Sequence, residues 1–388
     1  MLTKKLSFDL YKENKIEFII YLHNVINNKM TIVFTRYLYT ADEVVLTFME
    51  CLLKQEDINE CYYWFYEYYK SGYEEKSFEL LWKIYYDYYY IKNPKMEEKI
   101  TNKYLKWKET KNIRCVLWVV KNLFRLNKCH TILLLRTYYN NRNTDILTGD
   151  VIDTTQYKNK EEILFVKAMK QKKKVAIAYY LKRIKDDNRK LELVNKSLTK
   201  NIQYNDNYGD KYHYMLAKII KSLKITPKKK VYYKMILNKE VTNILQSDES
   251  CRNDGKEENI SYIYKTLSKR RIYGISKNIG CFSLSRQNKD IDHIFWYHWE
   301  YYAYKSPLWK SRFDKYDIKV NNKKQTIDFK DEDEYEEFYE EYGYEPDEQS
   351  CDVQEKSICK MENVAIKKWI NSIFDKKLTK NIRIKLNY

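Results

Sequence analysis

The chain has 388 residues, a formal net charge of +18, 44% hydrophobic and 16% aromatic residues, and only seven glycines and four prolines. Such apolar content excludes a mainly disordered chain, and so few turn formers exclude β-architectures built from many tight turns. The longest apolar runs, VLWVV and TILLL, fall far short of the ~20 residues a membrane helix needs, and no apolar signal core follows the N-terminal lysines, so a soluble protein is predicted.

The fold class read from these totals is mainly α, with helical hairpins or HEAT-like packing and a small β-hairpin near the C-terminus. In chain order, helical spacing predicts a helix over 7–28. TADE, from Thr40 to Glu43, has the capping-box form and predicts a helix over 41–54. The next stretch, 60–90, holds eleven tyrosines, two tryptophans and two phenylalanines. It divides at Gly72 into helices over 58–70 and 73–91, the second stopped by Asn93 and Pro94. Ile58, Cys61, Tyr62, Phe65 and Tyr69 share one face, and Leu81, Ile84, Tyr85, Tyr88 and Ile91 share another. Acids outnumber lysines here, whereas a base-stacking platform needs a cationic groove, so these rings are read as core. The chain's forty tyrosines, with many Lys, Asn and Ile, are also what AT-rich codons produce.

Helical patterns continue over 94–107 and 112–139, and a polar break begins at Asn140. Basic helices follow over 161–200 and 211–222, and Thr226 with Pro227 opens another. A second linker begins at Gln246. The segment from Ile291 is helical up to Ser306 and Pro307. Ile318/Val320 and Ile327/Phe329 then alternate around NNKK as a β-hairpin within 316–330. An acidic segment over 331–348 and an amphipathic helix over 354–376 complete the chain. The domains read from this are 1–140, aromatic and helical; 158–245, basic and helical; and 258–388, a C-terminal helical module.

Charge is segregated. Residues 331–348 hold eleven acids and no base, 158–196 hold thirteen bases against five acids, and 218–234 hold seven lysines and no acid. Such a field attracts polyanions. The nucleic-acid candidates are Lys172, Lys173 and Lys174 within a helix, Lys228, Lys229 and Lys230, and Lys269, Arg270 and Arg271 beside Tyr273. HExxH, GxSxG and phosphate-loop motifs are absent, so no catalytic residue, cofactor or metal is assigned. Cys281, His293 and His298 approximate the second half of a two-Cys, two-His zinc finger, but the first cysteine is missing, and the histidines are read as structural or surface residues. The eight cysteines are scattered without a CxxC, which predicts free thiols in a reducing compartment.

Residues 41–94 and 297–350, most distinctively SPLWK and YGYEPDEQS, resemble a poorly characterised protein family of giant nucleocytoplasmic DNA viruses. The likeness covers roughly a third of the chain. It implies a viral origin and life in a host cytoplasm, in a viral factory, and it brings no catalytic residues with it. The combined reading is a non-enzymatic scaffold. It binds RNA or DNA through the basic region and a viral or host protein through Trp309, Tyr339, Tyr344, Glu345 and Asp347, in messenger RNA handling or translation initiation. An internal virion or capsid-associated protein and an accessory subunit of viral transcription are the alternatives.

Overall fold

A computed structural model describes residues 32–137, 146–149, 153–198, 201–223, 232–250 and 291–342. The predicted helices over 7–28 and 354–376, and the helix start at Thr226, lie outside the described residues. Within them the fold is mainly α, with fifteen α-helices and one two-stranded antiparallel hairpin near the C-terminus.

The aromatic segment builds the first layer. Helices α1 (Ala41–Lys54) and α2 (Ile58–Lys70) pack against each other across a short turn. Helix α1 starts where TADE predicts, yet the capping box does not form. The Thr40 side chain caps no amide, Asp42 takes the Glu43 N–H at 3.0 Å, and the Glu43 side chain is buried. The predicted single helix over 73–91 is two pieces: α3 (Glu74–Ile84) and a π-helical turn, Tyr85–Tyr89, closed by the Tyr90 N–H on the Tyr85 carbonyl at 2.8 Å. The stop at Asn93 holds, because its side-chain amide donates to the carbonyls of Tyr89 (3.1 Å) and Asn127 (2.7 Å). Ten of the eleven tyrosines between 60 and 90 are buried and Tyr63 is half-buried, so this ring-rich stretch is core.

Helices α4 (Met96–Thr110), α5 (Ile113–Arg125) and α6 (Thr131–Thr137) follow. The pattern over 112–139 is interrupted at 126–130, where the Cys129 N–H bonds the Tyr88 carbonyl at 2.7 Å. The basic stretch read as continuous over 161–200 is three helices, α7 (Lys160–Lys170), α8 (Lys174–Arg183) and α9 (Asp187–Leu198), and α10 (Lys211–Ser222) lies where predicted. Residues 232–237 have no regular secondary structure rather than a helix, and Asn122 bonds both the Lys234 N–H (2.8 Å) and its carbonyl (3.0 Å). Helix α11 (Asn238–Ser250) starts only after that strap. One hydrophobic core runs from Tyr37 to Ile244 and includes residues on both sides of the polar break at 140.

A second, smaller core gathers Ile32, Phe34 and Leu38 with the C-terminal elements. These are α12 (Ile291–Tyr297), α13 (Trp299–Ala303), α14 (Pro307–Phe313), strands β1 (Ile318–Asn321) and β2 (Thr326–Phe329), and α15 (Glu332–Tyr342). Ser306 and Pro307 do more than stop a helix: Ser306 is the N-cap and Pro307 the first residue of α14. The hairpin register pairs Ile318 with Phe329 and Val320 with Ile327, as the alternation predicts. Residues 32–40 join the two cores. The Trp309 indole N–H donates to the Thr35 carbonyl at 2.9 Å, and Arg36 meets Glu67 at 2.6 Å with both side chains buried.

Candidate polyanion interface

Helix α7 ends with its last carbonyls satisfied by a tight reversal. The Lys173 N–H bonds the Ala168 carbonyl at 3.0 Å and the Lys172 N–H bonds that of Met169 at 3.1 Å. This Schellman pattern requires a left-handed residue, normally glycine. Here it is Lys172, with φ 55°. Lys173 is the N-cap of α8 and offers no capping side chain. Lys174 is the first residue of α8, at the positive end of its dipole.

Lys172 and Lys173 are therefore on the turn between two helices and Lys174 opens the second, whereas the sequence predicts all three within one helix. Lys172 and Lys173 are exposed with Lys170 beside them, and Lys174 is half-buried. None of the four makes an ion pair among the described residues. Gln171 braces the turn through its amide on the Thr148 carbonyl at 2.6 Å.

The other end of the α7/α8 hairpin is also basic but is internally compensated. A cavity of about 440 Å³ lies there, lined by Lys158, Glu162, Arg183, Lys185, Asp186 and Arg189 among others. Arg189 grips the buried Glu162 carboxylate through Nε (3.1 Å) and Nη2 (2.8 Å). Burial pushes Glu162 up and the Arg189 guanidinium more than offsets it, so the carboxyl stays ionised. Asp186 accepts the N–H groups that open α9 at 2.9 and 3.2 Å. A phosphate entering there would meet the carboxylates of Glu161, Glu162 and Asp186, so the turn at 170–174 is the better anion surface. Nearby Lys182 is held below its ordinary value by burial and by Arg183 and Arg136.

Lys228, Lys229, Lys230, Lys269, Arg270, Arg271 and Tyr273 lie outside the described residues, as do Tyr344, Glu345 and Asp347 of the protein-binding set. Trp309 is fully buried, so it is a core residue with no face for a partner. Tyr339 is half-buried and donates its phenol to Glu300 at 2.5 Å. Burial, followed by the Glu300 charge, pushes that phenol far above its ordinary range. What the C-terminal module does expose is the acidic side of α15: Glu332, Asp333, Glu336, Glu337 and Glu340, with Tyr335 among them.

One buried polar cluster escapes sequence reasoning. Asp87, on the π-helical turn, accepts from Arg136 of α6 at 3.1 and 2.6 Å and lies 2.8 Å from His213 Nε2 of α10. The other imidazole nitrogen meets the Tyr208 hydroxyl at 2.6 Å. Burial would raise the Asp87 carboxyl, but Arg136 and His213 overcome it and hold it well below the usual carboxylate range. The cluster ties α6 and α10 to the aromatic layer. Its signal in the sequence is an aspartate inside a run of tyrosines, an acid that needs a buried partner.

No described helix is long and apolar enough to cross a membrane. The chain matches no family model, no curated protein and no solved structure.

Proposed function

We propose that the protein is a non-enzymatic helical scaffold that binds RNA or DNA through the lysine turn at 170–174. The observation that carries the reading is the placement of Lys172, Lys173 and Lys174. A lysine in the left-handed region costs roughly 1–2 kcal/mol, and a cation at a helix N-terminus a further ~0.3–1 kcal/mol. Three consecutive lysines sit in a position that local stability disfavours, and a phosphodiester backbone supplies the negative charge that offsets the helix dipole and the lysines together. Gln55, Lys111 and Gln325 are left-handed as well, so what supports the reading is the run of lysines on this turn with no ion pair among the described residues.

The viral origin and cytoplasmic setting rest on the resemblance of residues 41–94 and 297–350. The acidic outer side of α15 is the complementary docking surface, suited to a basic segment of a viral or host protein.

A gel shift tests the reading. The full chain shifts a labelled single-stranded RNA or duplex DNA of about 20 nucleotides at low salt, and the variant with Lys172→Glu, Lys173→Glu and Lys174→Glu does not. An equal shift by the variant, at unchanged circular dichroism, rejects the turn as the interface.

A further inference from the structure

His293 lies on α12 and His298 just past its end, and their imidazole centroids are 5.0 Å apart with ring planes at 42°. In a continuous helix, residues five apart point about 140° away from each other around the axis. The chain avoids that separation by breaking: His298 has φ −140° and ψ 17°, and α13 starts at Trp299. The break turns the two rings onto a common side.

The ring nitrogens are also sorted. His298 Nδ1 lies 3.0 Å from the Gln325 carbonyl oxygen, which can only accept, so Nδ1 carries the proton. In the neutral ring Nε2 then holds a lone pair. A ligating imidazole is held in this way, with its second N–H on a backbone carbonyl. The carbonyl itself is fixed. Gln325 sits in the left-handed region at φ 61°, and its side-chain oxygen accepts from the Tyr302 hydroxyl at 2.8 Å.

The spacing can be compared with what a shared ion demands. A metal–nitrogen bond of about 2.0–2.1 Å places each ring centroid about 3.2 Å from the ion, and a tetrahedral angle then sets the centroids about 5.2 Å apart. The observed 5.0 Å fits. The geometry points to a two-histidine site for a borderline divalent cation of the Zn²⁺ class, held by His293 and by Nε2 of His298. Among the described residues no third His, Cys, Asp or Glu completes a cluster. Cys281 lies outside the described residues; in the proposed site water fills the positions that the two histidines leave, and the ion pins the hairpin turn at Gln325 to the α12/α13 break.

Zn²⁺ titration calorimetry on the full chain under a non-thiol reductant tests this, alongside the absorption spectrum of the Co²⁺ form. His293→Ala alters an exposed side chain. His298→Asn keeps a donor for the Gln325 carbonyl and removes the Nε2 ligand. Each should weaken one Zn²⁺ equivalent by at least about ten-fold, without a thiolate charge-transfer band in the Co²⁺ form. The site is overturned if no saturable equivalent appears, if both variants bind like the parent, or if the bound ion shows thiolate bands that persist when both histidines are replaced.

Discussion

Lys172 and Asp87 illustrate opposite uses of a costly side chain. Lys172 holds a left-handed position that glycine fills at lower cost. Lys172→Gly should therefore stabilise the protein by about 1 kcal/mol while weakening polyanion binding, as read by the urea midpoint and by gel shift. An unchanged or lower midpoint contradicts the account of the turn. Asp87 is buried against Arg136 and His213. Asp87→Asn leaves a buried guanidinium without its counter-charge and should cost about 3–5 kcal/mol. The folded-state carboxyl titrates below its unfolded value of about 3.9, so its contribution is complete well above pH 4 and is lost as pH falls towards the folded value. Denaturation of parent and variant side by side should show the gap between them narrowing below about pH 4. A gap independent of pH would argue that the carboxylate charge is not what holds the cluster.

Helices were legible where periodicity was strong, and their ends were not. Gly72 and the Asn93–Pro94 stop were read correctly because each uses ordinary punctuation. With seven glycines in the whole chain, other reversals fall on Gln55, Lys111 and Lys172, all at positive φ, so the break between α7 and α8 carried no visible mark. The π-helical turn was hidden for a different reason: it carries Asp87, whose partners Arg136 and His213 lie far away in sequence. Segment 232–237 was misread as helical because its restraints come from far away in sequence, Asn122 on Lys234 and Lys121 on the Met235 carbonyl. Gly72 itself does more than end a helix. At φ +88° an added Cβ would stand 2.6 Å from the Pro307 Cβ and 2.9 Å from the Leu308 nitrogen. Gly72→Ala should cost about 2–4 kcal/mol, from the left-handed strain and the forced contact at the start of α14. Chemical denaturation checks it, and a loss under 1 kcal/mol would mean the junction yields easily.

Across the molecule most rings lie inside the two cores, and several ammonium groups rest on rings at their rims, Lys305 4.0 Å from the Tyr301 centroid and Lys111 4.1 Å from that of Trp107. Tyrosines and tryptophans fill both cores, and residues 32–40 stitch them together through Trp309, Arg36 and Glu67. The split of charge between a basic middle and an acidic C-terminal helix was evident in composition. Which lysines are exposed on a turn, and that Trp309 is core, depended on tertiary packing. Phe338, against Phe313 at 4.4 Å and Phe329 at 5.2 Å, holds α15 to the hairpin. Its truncation, Phe338→Ala, should cost about 3–5 kcal/mol and release the acidic helix, which thermal unfolding would register. Because the functional reading rests on phosphate contact at one turn, the salt dependence of duplex binding interrogates it most directly. If about six phosphates are engaged, log affinity falls against log salt with a slope near −5, and replacing Lys172, Lys173 and Lys174 by alanine flattens that slope by about 2–3. Identical slopes for the two proteins, or affinity indifferent to salt, would contradict it.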